Sequence, residues 1–342
     1  MEPATPVAVR RPEAMLVMGG SSLRTQFGDA ELTRLAAAAT LGEPMAATEL
    51  HSAAVRARLA EVEVLITSWG CPPLDGEVLR HAPRLRAALH AAGSVRGHVG
   101  QEVFDRGILV TTAADANAQP VARYTLAAIF WAVKRVPFLA ADARLHRNDC
   151  GNQHRHGELG KDSVIVLVGF SRVGRRVARL LQQVGVTKVL VIDPYADPAA
   201  VADTGAELVT MKEALPRADI LSLHAPSLPE TRHMIGAAEL AALPRGATLI
   251  NTARGALVDH AALEKACQAG LHAILDVTEP EPLPPTSALY ELPNVILTPH
   301  VAGALGAETR LLAASALTEL ERYAAGRPPL DRVTAESLKL QA

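Results

Sequence analysis

Hydrophobic positions in the 342-residue chain fall into short apolar runs separated by longer amphipathic stretches. That alternation predicts strands and helices in turn, and so parallel, doubly wound sheets. In the first third, AMLVM (14–18), VEVLITSWG (62–70), LRAALHAAG (85–93) and GILVTTAAD (107–115) read as strands. Gly19 to Ser22 reads as the first strand's exit loop, and residues 29–40 and 74–82 as helices. AQPVARYTLAAIFWAVKRV (118–136) reads as a long helix, apolar around most of its circumference. Such a helix is expected to be buried between domains or subunits, with Pro137 ending or kinking it. Residues 146–160, polar and glycine-containing, read as loop.

A second series starts at Asp162. Strands are predicted at 163–168, 188–192, 219–223, 247–251, 272–277 and 294–297, and helices at 174–184, 211–216, 236–242 and 260–268. Six strands in this order match the size of a complete dinucleotide-binding domain. Residues 306–325 read as a last helix, and the proline-rich 279–287 as a loop.

Composition narrows the class. Hydrophobic residues make up 49% and charged residues 20%, the balance of a globular chain long enough for two domains. Aromatics are only 3%, so the core is built from aliphatic residues. A net charge of −2 gives no electrostatic footprint for nucleic acid. Cys71, Cys150 and Cys267 form no CxxC pair, which fits a reducing cytoplasm. The first twenty residues hold no apolar stretch of signal-peptide length, and no run approaches a membrane span. His154 and His156 lack a third ligand at metal-site spacing and read as loop residues.

The chemistry begins at Gly169-Phe-Ser-Arg-Val-Gly174, between a predicted strand and a predicted helix. A dinucleotide turn reads G-x-G-x-x-G: the first glycine for the turn, the second for close approach of the pyrophosphate, the third for helix packing. Ser171 replaces the middle glycine, a small change that adds a hydroxyl able to donate to a phosphate. Arg172 and Val173 complete the turn, whose helix N-terminus offers unpaired N–H groups. Asp193 ends the next strand, 24 positions after Gly169. A carboxylate there accepts from ribose hydroxyls and repels a 2′-phosphate, so NAD is expected rather than NADP.

From this point the chain resembles the D-isomer-specific 2-hydroxyacid dehydrogenases, over about residues 60 to 325. The resemblance is carried by LSLHAPSLPETRHMIG (221–236), INTARGALVD (250–259), DVTEPEPLP (276–284) and VILTPHVAG (295–303), each at a predicted strand end. It implies an α/β fold of two Rossmann-like doubly wound parallel-sheet domains with a cleft between them. The expected division is 1–116 plus 306–342 for a discontinuous substrate domain and 117–305 for the NAD-binding domain. It also implies a homodimer.

The family's catalytic arginine, glutamate and histidine fall on Arg254, Glu281 and His300. Glu279 competes with Glu281 on spacing, and the proline pattern selects Glu281. Reduction of a 2-oxo acid needs a hydride at the carbonyl carbon and a proton at its oxygen. An imidazolium supplies the proton, a carboxylate orients the ring, and a guanidinium grips the substrate carboxylate. The resemblance further assigns His224, Pro226, Thr231, Thr252, Ala253, Asp276 and Gly303 to the cofactor. It assigns the turn at Ala92, Gly93 and Ser94, with Arg254 and His300, to the substrate.

Two departures bear on which acid is used. Val95 and Arg96 stand where relatives carry an Asp, and Arg123 and Tyr124 where they carry Glu and His. Arg96 and Arg123 are either surface residues or readers of a second anionic group. Glu281 in place of glutamine argues against a formate dehydrogenase. Ending at 342 argues against a phosphoglycerate dehydrogenase with a C-terminal regulatory domain. A phosphite dehydrogenase shares the Arg–Glu–His set. An NAD-sensing corepressor-like scaffold remains the alternative from a different class, because fold alone does not fix function.

Overall fold

The computed structural model describes residues 10–147 and 163–340. Cys150, His154, His156 and most of the predicted 146–160 loop lie outside them. The chain divides into two compact units, residues 1–117 with 304–342 and residues 118–303.

In the first unit β1 (Glu13–Val17), β2 (Thr40–Ala47), β3 (Val64–Thr67), β4 (Ala87–His90) and β5 (Leu109–Thr112) pair in the order 2-1-3-4-5. All pair in parallel, but a short strand, Arg332–Val333, adds to β5 antiparallel. This sheet is therefore mixed at one edge. Successive residues of β1 alternate between faces as strand geometry requires: Met15 and Val17 join the core on one side, Ala14 and Leu16 that on the other. The helix Arg310–Ala324 covers the second face with Ala313, Ala316, Leu317 and Leu320.

The second unit holds seven parallel strands: β6 (Ile165–Val168), β7 (Val189–Ile192), β8 (Glu207–Leu208), β9 (Ile220–Leu223), β10 (Thr248–Asn251), β11 (His272–Leu275) and β12 (Val295–Leu297). Their order is 12-11-10-9-6-7-8, so the order reverses between β6 and β9. Ligands of open α/β sheets bind at that reversal, beyond the carboxyl ends of the strands. β6 to β12 are almost wholly buried apart from the β8 edge and the end of β12, which is why they read as plain apolar runs.

Three expectations are corrected. Gly20 begins a helix, Gly20–Gln26, so the exit loop after β1 is shorter than predicted. β2 and β8 were not anticipated: both are edge strands, β2 contains Gly42, Glu43 and Pro44, and β8 has two residues. The long helix spans Ala114–Val133 and ends before Pro137. Arg135, at φ +53°, breaks it, and Pro137 sits in the first turn of the next helix, Val136–His146, where a missing N–H costs nothing. On the long helix Ala122, Ile129 and Val133 face its own unit's core, while Trp131 is 54% exposed in the single chain. No helix among the described residues is long and apolar enough to cross a membrane.

Candidate active site

The sequence-predicted residues of the second unit gather along one edge of its sheet. Gly169 follows β6, Asp193 follows β7, His224 follows β9, Thr252 to Arg254 follow β10, Asp276 follows β11 and His300 follows β12. Every one lies just past a strand's carboxyl end.

Gly169 has φ +100°, and a Cβ there would come within 2.6 Å of the Ala225 amide nitrogen. A Cβ on Gly174 would sit 2.1 Å from the Gly169 carbonyl oxygen. Only glycine lets the β6 turn close this tightly against β9. Ser171 is the N-cap of the helix Arg172–Gln183, its Oγ accepting from the Gly174 N–H at 3.4 Å. That bond uses a lone pair, so the hydroxyl proton is still available to a ligand. Val173 packs inward against the core. The turn thus presents a helix N-terminus in a cradle that side chains would fill, which fits a pyrophosphate.

Asp193 also braces the turn. Its Oδ2 accepts from the Phe170 N–H at 2.7 Å and its Oδ1 from the Tyr195 N–H at 2.8 Å. Each oxygen retains a lone pair for a ribose hydroxyl. His224 lies beneath the turn and not at its surface: a Cβ on Gly174 would approach His224 Cβ to 3.3 Å. Its Nε2 pairs with Ser222 Oγ at 3.0 Å, and burial pushes the ring down to about 3. Thr231 Oγ1 donates to the Pro226 carbonyl at 2.6 Å and accepts from the Leu228 N–H at 2.8 Å, closing the loop after β9 on itself.

The loop after β10 is held by Asn251, a fully buried residue that the sequence reading did not single out. Its Nδ2 donates to the Arg254 carbonyl at 2.9 Å, and its Oδ1 accepts from the Ala253 N–H at 3.0 Å. Arg254 Nη1 donates to the Ala253 carbonyl at 2.7 Å, and Thr252 Oγ1 pairs with Thr125 Oγ1 at 2.8 Å. A Cβ on Gly255 would fall 2.1 Å from the Thr278 carbonyl group, so this glycine brings the arginine loop against the glutamate loop.

His300 Nδ1 lies 2.7 Å from Glu281 Oε1, both side chains about half exposed. Glu279 is committed elsewhere, to Arg232 at 2.8 Å and His233 at 3.4 Å. The Arg232 guanidinium holds the Glu279 carboxyl below the usual carboxylate range. His300 has φ +55°, a conformation that costs energy in a non-glycine residue. The loop is pinned around it: the His300 N–H donates to the Asp276 carbonyl at 3.0 Å, and the Val301 and Ala302 N–H groups donate to the Asp276 carboxylate at 2.8 Å each. Asp276 thus spends its oxygens on the histidine loop. Beside it Asp276, Glu281, Tyr290 and Thr298 line a cavity of about 440 Å³.

In the first unit, Ala92, Gly93 and Ser94 form the turn after β4, and the two departures there have structural answers. Val95 is buried in the core. Arg96 Nη2 donates to the carbonyls of Leu338 and Lys339 at 3.1 and 3.0 Å, capping the last helix. Arg123, in the second unit, is exposed.

A parallel sheet with this glycine turn, terminal aspartate and Arg–Glu–His set along one edge defines a dinucleotide-binding α/β protein. The sequence model described as "D-isomer specific 2-hydroxyacid dehydrogenase, NAD binding domain" matches residues 126–302. The chain belongs to that family, and this segment is its NAD-binding domain. It is 36% identical over 253 residues to D-3-phosphoglycerate dehydrogenase of Mycobacterium bovis, covering 73% of this chain and 47% of that one. It therefore spans about half the length of that relative. It is 34% identical over 276 residues to glyoxylate reductase of Korarchaeum cryptofilum, covering 79% of this chain and 82% of the relative. The crystal structure of the TT0316 protein from Thermus thermophilus matches with a TM-score of 0.72 at 31% identity, covering 94% of this chain and 100% of that one.

Proposed function

We propose that the protein is an NAD-dependent oxidoreductase that interconverts a small 2-oxo acid and its D-2-hydroxy acid. The observation that carries the reading is the 2.7 Å pair of Glu281 and His300, on the loops after β11 and β12, next in the sheet to the β10 loop that carries Arg254. A carboxylate only accepts, so Nδ1 carries the proton facing Glu281 and Nε2 is the atom that exchanges a proton with substrate. In reduction His300 gives that proton to the carbonyl oxygen; in oxidation it takes it back. Glu281 fixes the ring's plane and tautomer. Arg254 grips the substrate carboxylate with its planar fork. NADH supplies the hydride when bound. Gly169, Ser171, Arg172, Gly174 and Asp193 would hold its adenosine diphosphate end, and Thr252, Ala253 and Gly303 would lie toward its nicotinamide. Val173, His224, Pro226, Thr231 and Asp276 act chiefly by shaping those loops.

The reading extends to a cytoplasmic homodimer. Cys71 and Cys267 are free and buried, and burial pushes both thiols up to about 12, where they are inert. Trp131 and Val136 present exposed apolar surface on consecutive helices, which suits a second copy of the chain.

The test is NADH oxidation against glyoxylate, hydroxypyruvate, pyruvate, phenylpyruvate and phosphonopyruvate. Turnover on at least one supports the enzyme. Tight NADH binding with no turnover on any overturns it in favour of a sensing scaffold.

A further inference from the structure

A second line of hydrogen bonds, Tyr124–Thr298–Asp276, reaches the His300 loop independently of Glu281. Thr298 Oγ1 donates to Asp276 Oδ1 at 2.6 Å, and Tyr124 Oη lies 2.8 Å from Thr298 Oγ1. The direction of each bond follows from the groups. A hydroxyl has one proton, Thr298 gives its own to a carboxylate that can only accept, and so Tyr124 must donate to Thr298. Asp276 is buried, and the same carboxylate takes the Val301 and Ala302 N–H groups. His300 lies between Thr298 on one side and Val301 on the other, at φ +55°. A strained conformation of this kind persists only when its surroundings over-determine it.

We propose that Tyr124 is a positioning residue for the acid/base histidine: its hydroxyl orients Thr298, Thr298 and the two amides fix the Asp276 carboxylate, and that carboxylate holds the backbone that aims His300. The inference rests on the functional reading above. It gives one of the chain's departures from its relatives a role in aiming the histidine, with no need for a second anionic group on the substrate. Burial pushes the Tyr124 phenol above its usual range, so its proton stays in place as the first donor of the line.

Tyr124→Phe removes the donor and keeps the ring. Three readouts separate positioning from mere support. In the cofactor-free protein, hydrogen exchange of the Val301 and Ala302 amides should speed up by about fivefold, the loss of roughly one hydrogen bond. In turnover, kcat should fall about tenfold while the NADH dissociation constant stays within about twofold. Thr298→Val should cost a similar factor, the double variant should cost little more than either alone, and Thr298→Ser should keep kcat near that of the unmodified protein. Unchanged exchange at Val301 and Ala302, or fully additive losses in the double variant, overturns the inference. Exchange is read without substrate or cofactor, so it tests the line even if the unmodified protein turns over none of the acids, the result that sinks the functional reading instead.

Discussion

Glu281 Oε1 stands 2.7 Å from His300 Nδ1, while Glu279, two residues earlier, is held by Arg232 and His233. The two carboxylates share a proline-flanked sequence and differ in what they face. Glu281→Gln replaces a charged, acceptor-only group by a neutral amide, which removes the negative charge beside His300 and the acceptor-only constraint on its tautomer. Reduction measured as kcat/KM should fall roughly 10- to 100-fold. Glu279→Gln removes only a half-exposed surface pair and should change kcat/KM by less than about threefold. The reverse ranking in steady-state assays would exchange the two roles.

Arg254 Nη1 donates to the Ala253 carbonyl, which ties the side chain to its own loop. A guanidinium carries its donors in one rigid plane, the geometry that matches a carboxylate. Lysine keeps the charge and loses the plane. Arg254→Lys should lower kcat/KM by about 100-fold or more, with NADH affinity within about twofold. Near-normal turnover by the lysine variant would show that the substrate carboxylate is held elsewhere.

Asp193 faces the amides of Phe170 and Tyr195, and its successors Pro194 and Tyr195 bring no cation to receive a 2′-phosphate. The protein should prefer NADH to NADPH by about 100-fold or more, as a carboxylate against a phosphate requires. Asp193→Asn keeps one acceptor and removes the charge, so the gap should narrow, mostly through weaker NADH. Fluorescence titration with both cofactors checks this, and equal affinity in the unmodified protein would refute it.

The sequence told most where burial and local spacing coincide. The central strands of the second unit are apolar on both faces, so β6, β9, β10 and β11 read directly as apolar runs, and Gly169, His224, Arg254 and Asp276 follow because each sits just past one of them. β2 was not readable: at a sheet edge it is only partly buried, and Gly42, Glu43 and Pro44 disguise it. His224 was placed by motif at a ligand, but its depth beneath the turn depends on how β6 and β9 approach. Tyr124 and Thr298 lie 174 positions apart, and no period or spacing joins them. Arg96 was ambiguous because its partners, the Leu338 and Lys339 carbonyls, are backbone atoms and carry no side-chain signature.

Among the described residues, His90 in the first unit and His224 in the second are buried histidines whose folded state resists protonation. Burial, reinforced by His98, pushes His90 down to about 3, and burial alone does the same for His224. An unfolded histidine titrates near about 6.5. Between pH 3 and 6.5 the unfolded chain therefore binds protons that the folded chain refuses, and stability rises with pH across that window. The contribution is complete above about 6.5 and is lost as acid is added, by about 2 kcal/mol for each ring between pH 6.5 and 5. His224→Gln removes the titrating group from the second unit, and His90→Gln from the first. Each variant should be less stable than the unmodified protein at pH 7.5, because Ser222 or Thr67 loses its partner. Each should also lose less stability on acidification. Denaturant midpoints at pH 7.5, 6.5, 5.5 and 5.0 read both effects. Curves parallel to that of the unmodified protein below pH 6.5 would mean that the ring accepts its proton without unfolding.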